Sequence, residues 1–519
     1  MKKLPIGVQS FGLMIGEDYL YVDKTRDIHK LFANGGKYYF LSRPRRFGKS
    51  LLISTLEEIF SGNRELFKGL WIYDNIEWEK YPVVHIDLSL LKYDTPRQLE
   101  ESLNRLMEDV GNGYSITLDP ERYSNEKFRQ LIEKLAAKNQ VVILVDEYDK
   151  PIIDKIGREE IVSKNRDILR DFFSVVKASD KFVKFAFFTG VSKFSKVSVF
   201  SGLNNLRDIT LSEGFSTLLG YTEDEMDRYF SPFMEHMSST LGMNKKELSD
   251  KIRKWYNGYS WDGKHFVYNP FSILSFFSEN AFANYWFTTG TPTFLTKLIK
   301  SKKSDITGFD DVVVGSYVFD SYDIDRVEIV ALLFQTGYLT VKEKFLKKDQ
   351  LRYRLSYPNR EVRDSFLAHL LQEYTQKDLA VGMQLLDRLS DAIEGNDIDG
   401  FIRVLKSLFA SIPYNIFIGE REAYYHTIIY LIMKLSGAAV QPEVQTNIGR
   451  IDAVLETNNR IYIMEYKMGS ETDALMQVKE NKYYEKFLSA GKEIVLIGIG
   501  FNVAERNIGN YIIEVVSSP

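Results

Sequence analysis

Residues 37–50 read KYYFLSRPRRFGKS, an apolar run followed by a short basic loop that ends in Gly48, Lys49 and Ser50. This order predicts a strand, a loop and then a helix over residues 51–60. Such a loop suits phosphate, because its backbone N–H groups converge on phosphate oxygens while a lysine reaches the outer phosphates and a hydroxyl binds Mg²⁺. The helix directs its positive end at the same anion. The stretch therefore predicts a nucleotide-binding α/β fold.

Two features of this loop leave an alternative open. Arg43 stands where phosphate-binding loops usually begin with glycine, and Pro44 has no N–H to donate. A Gly-Lys-Ser tripeptide after an apolar run also arises by chance, so the alternative is an exposed basic helix start. If the loop does bind a nucleotide, the contacting residues are Arg45, Arg46, Phe47, Gly48, Lys49, Ser50 and Leu51.

A second element supports the nucleotide interpretation. Residues 141–147 read VVILVDE, and the aliphatic run predicts a strand buried on both faces, as in a parallel sheet. Asp146 at its end would bind Mg²⁺, mainly through water, and Glu147 would polarise the water that attacks the γ-phosphate. The alternative is an ordinary strand end that meets solvent, but two such motifs in this order favour the nucleotide site.

A third apolar run, residues 181–188, ends at Thr189, which is our candidate for sensing the γ-phosphate. A fourth strand is predicted over 82–89, and helices are predicted near 122–139 and 160–179. Strands that alternate with helices indicate a doubly wound parallel α/β sheet. Arg207 is a further candidate phosphate sensor, although a surface arginine is the favoured interpretation.

The composition restricts the class of protein. The chain has 519 residues, a net charge of −4 and no cysteine, which excludes disulfides and thiolate metal sites. The six histidines form no HExxH or HxH pattern, which argues against a zinc hydrolase. The start lacks an apolar core of signal-peptide length, and no stretch approaches about 18 uninterrupted apolar residues. We therefore expect a cytoplasmic protein without a membrane span, and any contact with nucleic acid must come from local basic patches.

The middle of the chain is helical and rich in aromatic residues. An apolar helix is predicted over 327–334, followed by a hairpin over 337–355 with a basic turn through 344–348. A helix followed by such a hairpin is typical of a winged-helix module, and a helical lid with an added hairpin fits equally well. We interpret the lysines of this turn as solvated side chains in preference to DNA-contacting ones. Amphipathic helices are expected over 376–410.

The C-terminal region carries a second chemistry. Residues 449–456 and 460–467 predict two antiparallel strands joined by a turn. Strand periodicity places Glu465 and Lys467 on the face of Ile461 and Ile463, and Asp452 can point the same way. Burying these charges without partners would cost several kcal/mol each in lost solvation. A divalent metal ion that bridges the carboxylates would offset that loss. The alternative is a solvated strand edge.

This set predicts a metal-dependent phosphodiesterase. Asp452 and Glu465 would hold one or two Mg²⁺ or Mn²⁺ ions, while Lys467 would position or help deprotonate the attacking water and neutralise charge in the transition state. Glu422, a further catalytic candidate, and His426 are four apart on a helix predicted over 420–436 and therefore share one face, where such a site could use them. On the helix after the strands, Gln477 is a further catalytic candidate, and Tyr484 follows seven residues later.

Taken together, these motifs resemble the bacterial AAA-ATPase-like family with a C-terminal PD-(D/E)XK nuclease-superfamily domain. The matching stretches are YVDKT (21–25), RPRRFGKS (43–50), VDEYD (145–149), FTGV (188–191), YNGY (256–259), YNPF (268–271), QTGY (335–338), YPN (357–359) and the Asp452, Glu465 and Lys467 set. The resemblance covers nearly the whole chain and implies an ATP-binding module joined to a nuclease-like domain. In that family a missing first glycine is normal.

The resemblance and the motifs together predict four regions. Residues 1–215 form a P-loop AAA-like ATPase domain, 216–375 a helical lid and winged-helix-like region, 376–409 a helical linker, and 410–519 a restriction-endonuclease-like α/β domain. The leading hypothesis is an ATP-regulated, metal-dependent DNA endonuclease in which nucleotide state gates cleavage. Two alternatives remain: a nucleotide switch or scaffold in defence or signalling whose nuclease-like domain binds a partner without cleaving, and an ATPase that remodels protein partners. The sequence does not fix the oligomeric state.

Overall fold

The computed structural model describes residues 1–516 apart from 34, 194–198, 201, 287–292, 302–305, 321–328, 377–378, 413–421, 437–438 and 446–448. The chain divides into two compact units. The first comprises Met1–Thr289 and Asp311–Glu361, and the second comprises Gly290–Asp310 and Val362–Pro519. The first unit thus includes the predicted ATPase domain together with most of the predicted middle region.

A parallel five-stranded sheet organises the first unit. Its strands are β1 (Tyr38–Ser42), β2 (Val83–Asp87), β3 (Val141–Asp146), β4 (Val183–Gly190) and β5 (Arg207–Asp208), in the order β2-β3-β4-β1-β5. The predicted doubly wound sheet is confirmed, and the strands are buried because apolar clusters cover both faces. The carboxyl ends of β1, β3 and β4 lie side by side, since Ser42 pairs with Gly190 and Val145 with Phe188.

The helices of this part precede the first strand or lie between successive strands. They are α1 (Phe11–Gly16), α2 (Thr25–Ala33), α3 (Lys49–Phe60), α4 (Pro96–Gly113), α5 (Ser124–Leu135), α6 (Lys150–Ile153) and α7 (Glu159–Ala178). Helix α3 begins at Lys49, two residues before the predicted start, because Gly48 takes a left-handed conformation (φ 88°) that turns the chain into the helix. Helix α4 begins with a capping box between Thr95 and Gln98.

A bundle of helices completes the N-terminal part of the first unit. Its members are α8 (Glu223–Tyr229), α9 (Ser231–Leu241), α10 (Lys245–Tyr256) and α11 (Pro270–Glu279). Asn269 caps α11 by accepting the Ser272 N–H, and Pro270 occupies the first helical position, where its missing N–H costs nothing. An apolar cluster that includes Phe230, Tyr256 and Phe276 forms the core of the bundle.

The next elements include the predicted hairpin. They are α12 (Thr293–Ser301), which belongs to the second unit, and β6 (Val312–Gly315), α13 (Ile329–Thr336), β7 (Thr340–Lys347) and β8 (Gln350–Ser356) of the first unit. Strands β7 and β8 are antiparallel, and Lys348 and Asp349 both have positive φ angles, as a type I′ turn requires. The sequence interpretation lacked β6, which pairs with β8, and the predicted helix start at 327 lies outside the described residues.

The second unit contains a mixed five-stranded sheet. Its elements are α14 (Arg360–Thr375), whose first two residues belong to the first unit, α15 (Leu379–Glu394), α16 (Ile398–Ala410), α17 (Glu422–Leu435), β9 (Ala439–Gln445), β10 (Arg450–Glu456), β11 (Arg460–Met468), α18 (Glu471–Glu480), β12 (Glu493–Asn502) and β13 (Asn507–Val516). The strand order is β13-β12-β11-β10-β9, with only the β11–β12 pair parallel among the described strands. This sheet, with helices before and after β10 and β11, agrees with the predicted restriction-endonuclease-like fold.

Short 3₁₀ turns link several of these elements. They are Arg64–Phe67, Trp71–Asp74, Leu88–Leu90, Asp180–Phe182, Glu213–Phe215, Thr307–Asp310, Ser316–Asp320 and Tyr483–Ala490. Across the described part of the chain, no helix combines the length and the hydrophobicity that a membrane crossing would need.

Candidate functional site

Residues 43–48 follow β1 and form what we call the phosphate loop. Its residues Arg45, Arg46 and Gly48 border a cavity of about 360 Å³ at the carboxyl end of the parallel sheet. The lining of this phosphate cavity includes the predicted residues Arg45, Arg46, Gly48, Lys49, Ser50, Leu51 and Glu147, together with Lys150. Four of these side chains are cationic and one is acidic, so the cavity favours an anion. Phe47 differs from the other predicted residues, because its side chain is buried against Tyr259 and Trp261 and does not line this cavity.

Lys49 lies under the phosphate loop with its ammonium group removed from solvent. Its Nζ donates to the carbonyl oxygens of Arg43 (3.1 Å) and Pro44 (3.2 Å). Burial lowers the pKa of Lys49, while the carboxylates of Glu147 and Asp146 favour its charged form. A cation held in this way at a helix start is placed to meet an anion in the cavity.

Arg43, which replaces the usual first glycine, points into the protein interior. Its guanidinium donates to the carbonyl oxygens of Ser42 (2.9 Å), Thr210 (2.9 Å) and Phe215 (3.2 Å), and it lies 3.8 Å from the centre of the Trp261 ring. Burial lowers the pKa of Arg43 to about 9, and nearby carboxylates oppose that shift. The side chain therefore ties the phosphate loop to the protein interior. These carbonyl partners could not be predicted from the residues around Arg43.

Asp146, Glu147 and Thr189 meet at the ends of β3 and β4. Asp146 Oδ1 accepts hydrogen bonds from the Glu147 N–H (3.0 Å) and from the Thr189 hydroxyl. Glu147 has a positive φ of 49°, a costly conformation for a non-glycine residue, and its side chain lines the phosphate cavity. Thr189 is buried, and its hydroxyl donates to Asp146. The threonine therefore orients the Asp146 carboxylate.

Asp149, the second aspartate of the VDEYD stretch, has a structural role that was not predicted from the sequence. Its Oδ2 accepts the N–H groups of Val191 (3.1 Å) and Ser192 (2.6 Å) and the Ser192 hydroxyl (2.8 Å). Burial raises the pKa of Asp149 to about 6. A Cβ at Gly190 would stand 2.7 Å from Asp149 Oδ1, so the close fit requires glycine there. Asp149 therefore fixes the loop after β4 against the end of β3.

A second, apolar cavity of about 70 Å³ adjoins the phosphate cavity, and the sequence did not reveal it. Both cavities are lined by Pro5, Met14, Gly48, Leu51, Tyr221 and Pro270. The apolar cavity adds side chains such as Leu20, Val22 and Leu218. A nucleotide has anionic phosphates at one end and a base with apolar faces at the other. A cationic cavity next to an apolar one suits these two ends.

Arg207 lies on β5 and is exposed, with its guanidinium 5.8 Å from the Tyr39 ring and 5.9 Å from the Phe215 ring. This position agrees with the favoured interpretation of a surface arginine.

In the second unit, Asp452 and Glu465 approach each other where strands β10 and β11 separate. The described backbone register runs from Glu456–Ile461 to Ala453–Met464. Beyond it, the Asp452 N–H donates to Glu465 Oε2 (3.3 Å) and the Tyr466 N–H donates to Asp452 Oδ2 (2.9 Å). Each carboxylate thus accepts an amide from the opposite strand, and the two predicted metal ligands are brought together.

Burial raises the pKa of Asp452 to about 6, while the Tyr466 amide and the charge of Lys467 lower it. Glu465 is also buried, with 1% of its surface exposed. A buried and a partly buried carboxylate at one point suit a hard divalent cation, whose preferred ligands are oxygens. Within the described residues no group of three or more acidic or histidine side chains could hold a metal ion. The pair would therefore need water or substrate oxygens to complete a coordination shell.

Gln477 reaches this pair from helix α18, where its Nε2 donates to Glu465 Oε1. Two glycines of β12 allow the close approach of α18. A Cβ at Gly498, which pairs with Glu465, would stand 2.7 Å from the Leu475 N, and a Cβ at Gly500 would stand 2.8 Å from the Glu471 N. Gly500 pairs with Lys467, which is half-buried. Tyr484 lies in the 3₁₀ turn after α18 and packs against the apolar core of the sheet.

Helix α17 contacts the same point from another side. His426 Nε2 lies 3.8 Å from Asp452 Oδ2, and its ring meets the Tyr466 ring edge-on at 5.0 Å. The Tyr466 hydroxyl lies 3.9 Å from Met433 Sδ, so this side chain faces α17. Glu422 is the first residue of α17, and its side chain lies outside the described part of the structure.

Comparison with known proteins gives two family matches and one relative. A family described as predicted AAA-ATPase matches residues 5–200, and the PD-(D/E)XK nuclease superfamily matches residues 420–511. The chain is also 39% identical over 524 aligned residues to a protein of Azotobacter chroococcum mcd 1 named "Uncharacterized protein in vnfD 5'region". That alignment covers 99% of each chain.

Proposed function

Because this chain belongs to the AAA-ATPase-like proteins that carry a C-terminal PD-(D/E)XK nuclease-superfamily domain, we propose that it binds and hydrolyses ATP and cleaves DNA with its C-terminal domain. Nucleotide state would gate cleavage, and the hydrolysis of ATP would not drive the phosphodiester chemistry. A cytoplasmic location is part of this proposal.

The observation that supports cleavage most directly is the paired arrangement of Asp452 and Glu465. These carboxylates would hold Mg²⁺ or Mn²⁺, and the ion, when bound, would polarise the phosphodiester and lower the pKa of an attacking water. Gln477 holds one oxygen of Glu465 by a hydrogen bond, which fixes the carboxylate plane. Lys467 would orient the attacking water and neutralise the charge that develops on the phosphorus oxygens.

The nucleotide site would use residues of the phosphate cavity. Lys49 and the N–H groups at the start of α3 would bind the triphosphate, and Arg45, Arg46 and Lys150 add positive charge. Ser50 and Asp146 would hold Mg²⁺, and Glu147 would orient and accept a proton from the attacking water. Thr189 would act through Asp146, since its hydroxyl donates to that carboxylate. The apolar cavity would take the nucleobase.

Nicking of supercoiled DNA with Mg²⁺ or Mn²⁺ tests the nuclease. We expect Asp452→Ala and Lys467→Ala to lose cleavage by about 100-fold or more, because the first removes a metal ligand and the second a group that stabilises charge in the transition state. Asp473→Asn changes an exposed carboxylate on α18 and serves as the matched control, which should cleave like the wild type. Equal nicking by all four proteins would remove the nuclease assignment.

Nucleotide binding and hydrolysis test the ATPase. Lys49→Ala should abolish ATP binding, and Glu147→Gln should bind ATP without hydrolysing it. Lys164→Ala removes an exposed lysine on α7 and should behave like the wild type. Hydrolysis by Glu147→Gln at the wild-type rate would contradict the role of that carboxylate. Gating is tested by nicking with ATP, with a nonhydrolysable analogue and without nucleotide, and equal rates in the three conditions would contradict it.

One observation favours a second function, a nucleotide switch whose C-terminal domain binds a partner without cleaving it. The described residues contain only the Asp452 and Glu465 pair at the candidate metal site, and a two-carboxylate site binds a cation more weakly than a larger one. Salt-dependent DNA binding without nicking, under any nucleotide condition, would support this switch and contradict the nuclease.

A further inference from the structure

Three successive carbonyl groups of the phosphate loop accept hydrogen bonds from side chains. Lys49 Nζ holds the carbonyls of Arg43 and Pro44, and the indole Nε1 of Trp286 donates to the carbonyl of Arg45 at 3.2 Å. A loop whose successive carbonyl oxygens are held in this way can turn its N–H groups toward an anion. The Trp286 contact spans 241 residues of sequence.

The peptide between Arg45 and Arg46 needs such a contact. Arg46 has a positive φ of 68°, which is unfavourable for a residue with a side chain. Rotation of this peptide plane would bring Arg46 to a negative φ and would exchange the directions of the Arg45 carbonyl and the Arg46 N–H. A carbonyl oxygen would then replace an N–H group on the side that receives phosphate. The hydrogen bond from Trp286 opposes this rotation.

Glu361 holds the segment that carries Trp286. Its side chain is fully buried, and Oε1 accepts the backbone N–H of Trp286 at 2.8 Å while Oε2 accepts the Ser272 hydroxyl at 2.7 Å. Ser272 directly follows Phe271, whose ring lies 4.5 Å from the Arg46 guanidinium. One carboxylate therefore fixes both segments that contact residues 45 and 46.

We propose that Glu361 and Trp286 are positioning residues that keep the peptide 45–46 in the orientation required for nucleotide binding. This inference rests on the proposed binding of ATP at the phosphate loop. Neither residue touches the phosphate cavity, so each acts through the loop. The expected effect falls on affinity, because a loop that is only partly in the competent orientation binds more weakly but reacts normally once occupied.

The titratable groups that face Glu361 are tyrosines. Tyr256 on α10, Tyr259 after it and Tyr285 before Trp286 each interact with this carboxylate, and burial raises the pKa of all three above their ordinary value of 10. They stay neutral through the neutral pH range. Burial also raises the pKa of Glu361 to about 7, and the N–H and hydroxyl donors limit that rise. A glutamine retains the carbonyl acceptor for Trp286, so Glu361→Gln is the conservative variant.

The test compares Trp286→Phe, Glu361→Gln and Glu361→Ala for ATP binding by calorimetry and for KM and kcat of hydrolysis. Trp78→Phe is the matched control, because the Trp78 indole also donates to a backbone carbonyl, that of Tyr73, away from the phosphate loop. We expect Trp286→Phe to raise Kd and KM about fivefold, the worth of one hydrogen bond, with kcat within about twofold. Trp78→Phe and Glu361→Gln should bind like the wild type.

Glu361→Ala should weaken binding at least as much as Trp286→Phe, and combining the two changes should add little, because both act on the same contact. An unchanged Kd in Trp286→Phe, or a fall in kcat at unchanged KM, would overturn the proposal. If Glu361→Ala fails to fold, Trp286→Phe and Glu361→Gln still decide the matter. A wild-type protein that binds no ATP would instead refute the proposed function, and this inference with it.

Discussion

The buried carboxyl of Glu361 makes the stability of the first unit depend on pH. Its pKa rises from an ordinary 4.5 to about 7 because the group is removed from water. The folded state therefore holds this proton more tightly than the unfolded state. Stability is lost as the pH rises from the unfolded pKa through the folded pKa, and the loss is complete above about 7. At about 1.4 kcal/mol for each pKa unit, the ionised group destabilises the fold by about 3 kcal/mol.

Glu361→Gln removes that charge and keeps the shape and the acceptor. We expect the variant to match the wild type at pH 4.5 and to exceed it at pH 8 by up to about 3 kcal/mol, a rise of several degrees in Tm. Thermal unfolding of both proteins at pH 4.5, 6 and 8 measures the difference, and Glu121→Gln, at an exposed position, is the control with no pH-dependent gain. A variant that is destabilised equally at every pH would refute the reasoning.

Three further substitutions test the packing around the two candidate sites. Arg43→Gly restores the usual loop glycine, yet we expect it to lower the free energy of unfolding by about 3 kcal/mol in denaturant melts, because buried carbonyls lose their donors. Gly337→Ala, at φ 91° and with a Cβ 2.7 Å from a loop proline, should lower Tm and weaken ATP binding, whereas Gly113→Ala meets open space and should do neither. Gly498→Ala should displace α18, separate Gln477 from the carboxylate pair and reduce DNA nicking while ATP hydrolysis is unchanged; nicking at the wild-type rate would contradict this.

The sequence predicted the features that depend on local periodicity. Uninterrupted aliphatic runs such as 141–145 require burial on both faces, which fixes a central strand and places Asp146 at its end. The alternation of residues 461–467 likewise places Glu465 on the face of buried isoleucines. Both predictions agree with the structure because a strand has only two faces, and an apolar face must be buried.

The features that the sequence could not predict depend on contacts between distant segments. Nothing in the residues around Trp286 indicates that its indole reaches the carbonyl of Arg45, and nothing around Arg43 indicates that its side chain points inward. The orientation of a single peptide plane also leaves no trace in hydrophobic periodicity. The role of Gly498 is visible only once α18 is known to lie on β12.

The phosphate loop also holds a residue with a side chain in a conformation that favours glycine. Glycine normally permits positive φ angles at little cost, but here a positive φ falls on Arg46, so the conformation must be enforced from outside the loop. The indole of Trp286 and the stacking of Phe271 on Arg46 supply that constraint.

If Trp286 restrains the strained Arg46, substitutions at the two residues should not have additive effects on ATP binding. Arg46→Gly removes the strain at residue 46, which is worth about 1–2 kcal/mol for a residue with a side chain. The loss of the Trp286 hydrogen bond should then matter less, and Trp286→Phe should raise the Kd for ATP by a smaller factor in the Arg46→Gly background than in the wild type. Each factor is the Kd with Trp286→Phe divided by the Kd without it, in one background. A direct contact between Arg46 and phosphate does not affect this comparison, because both proteins of the Arg46→Gly background lack that contact. Equal factors would mean that Trp286 does not restrain this peptide.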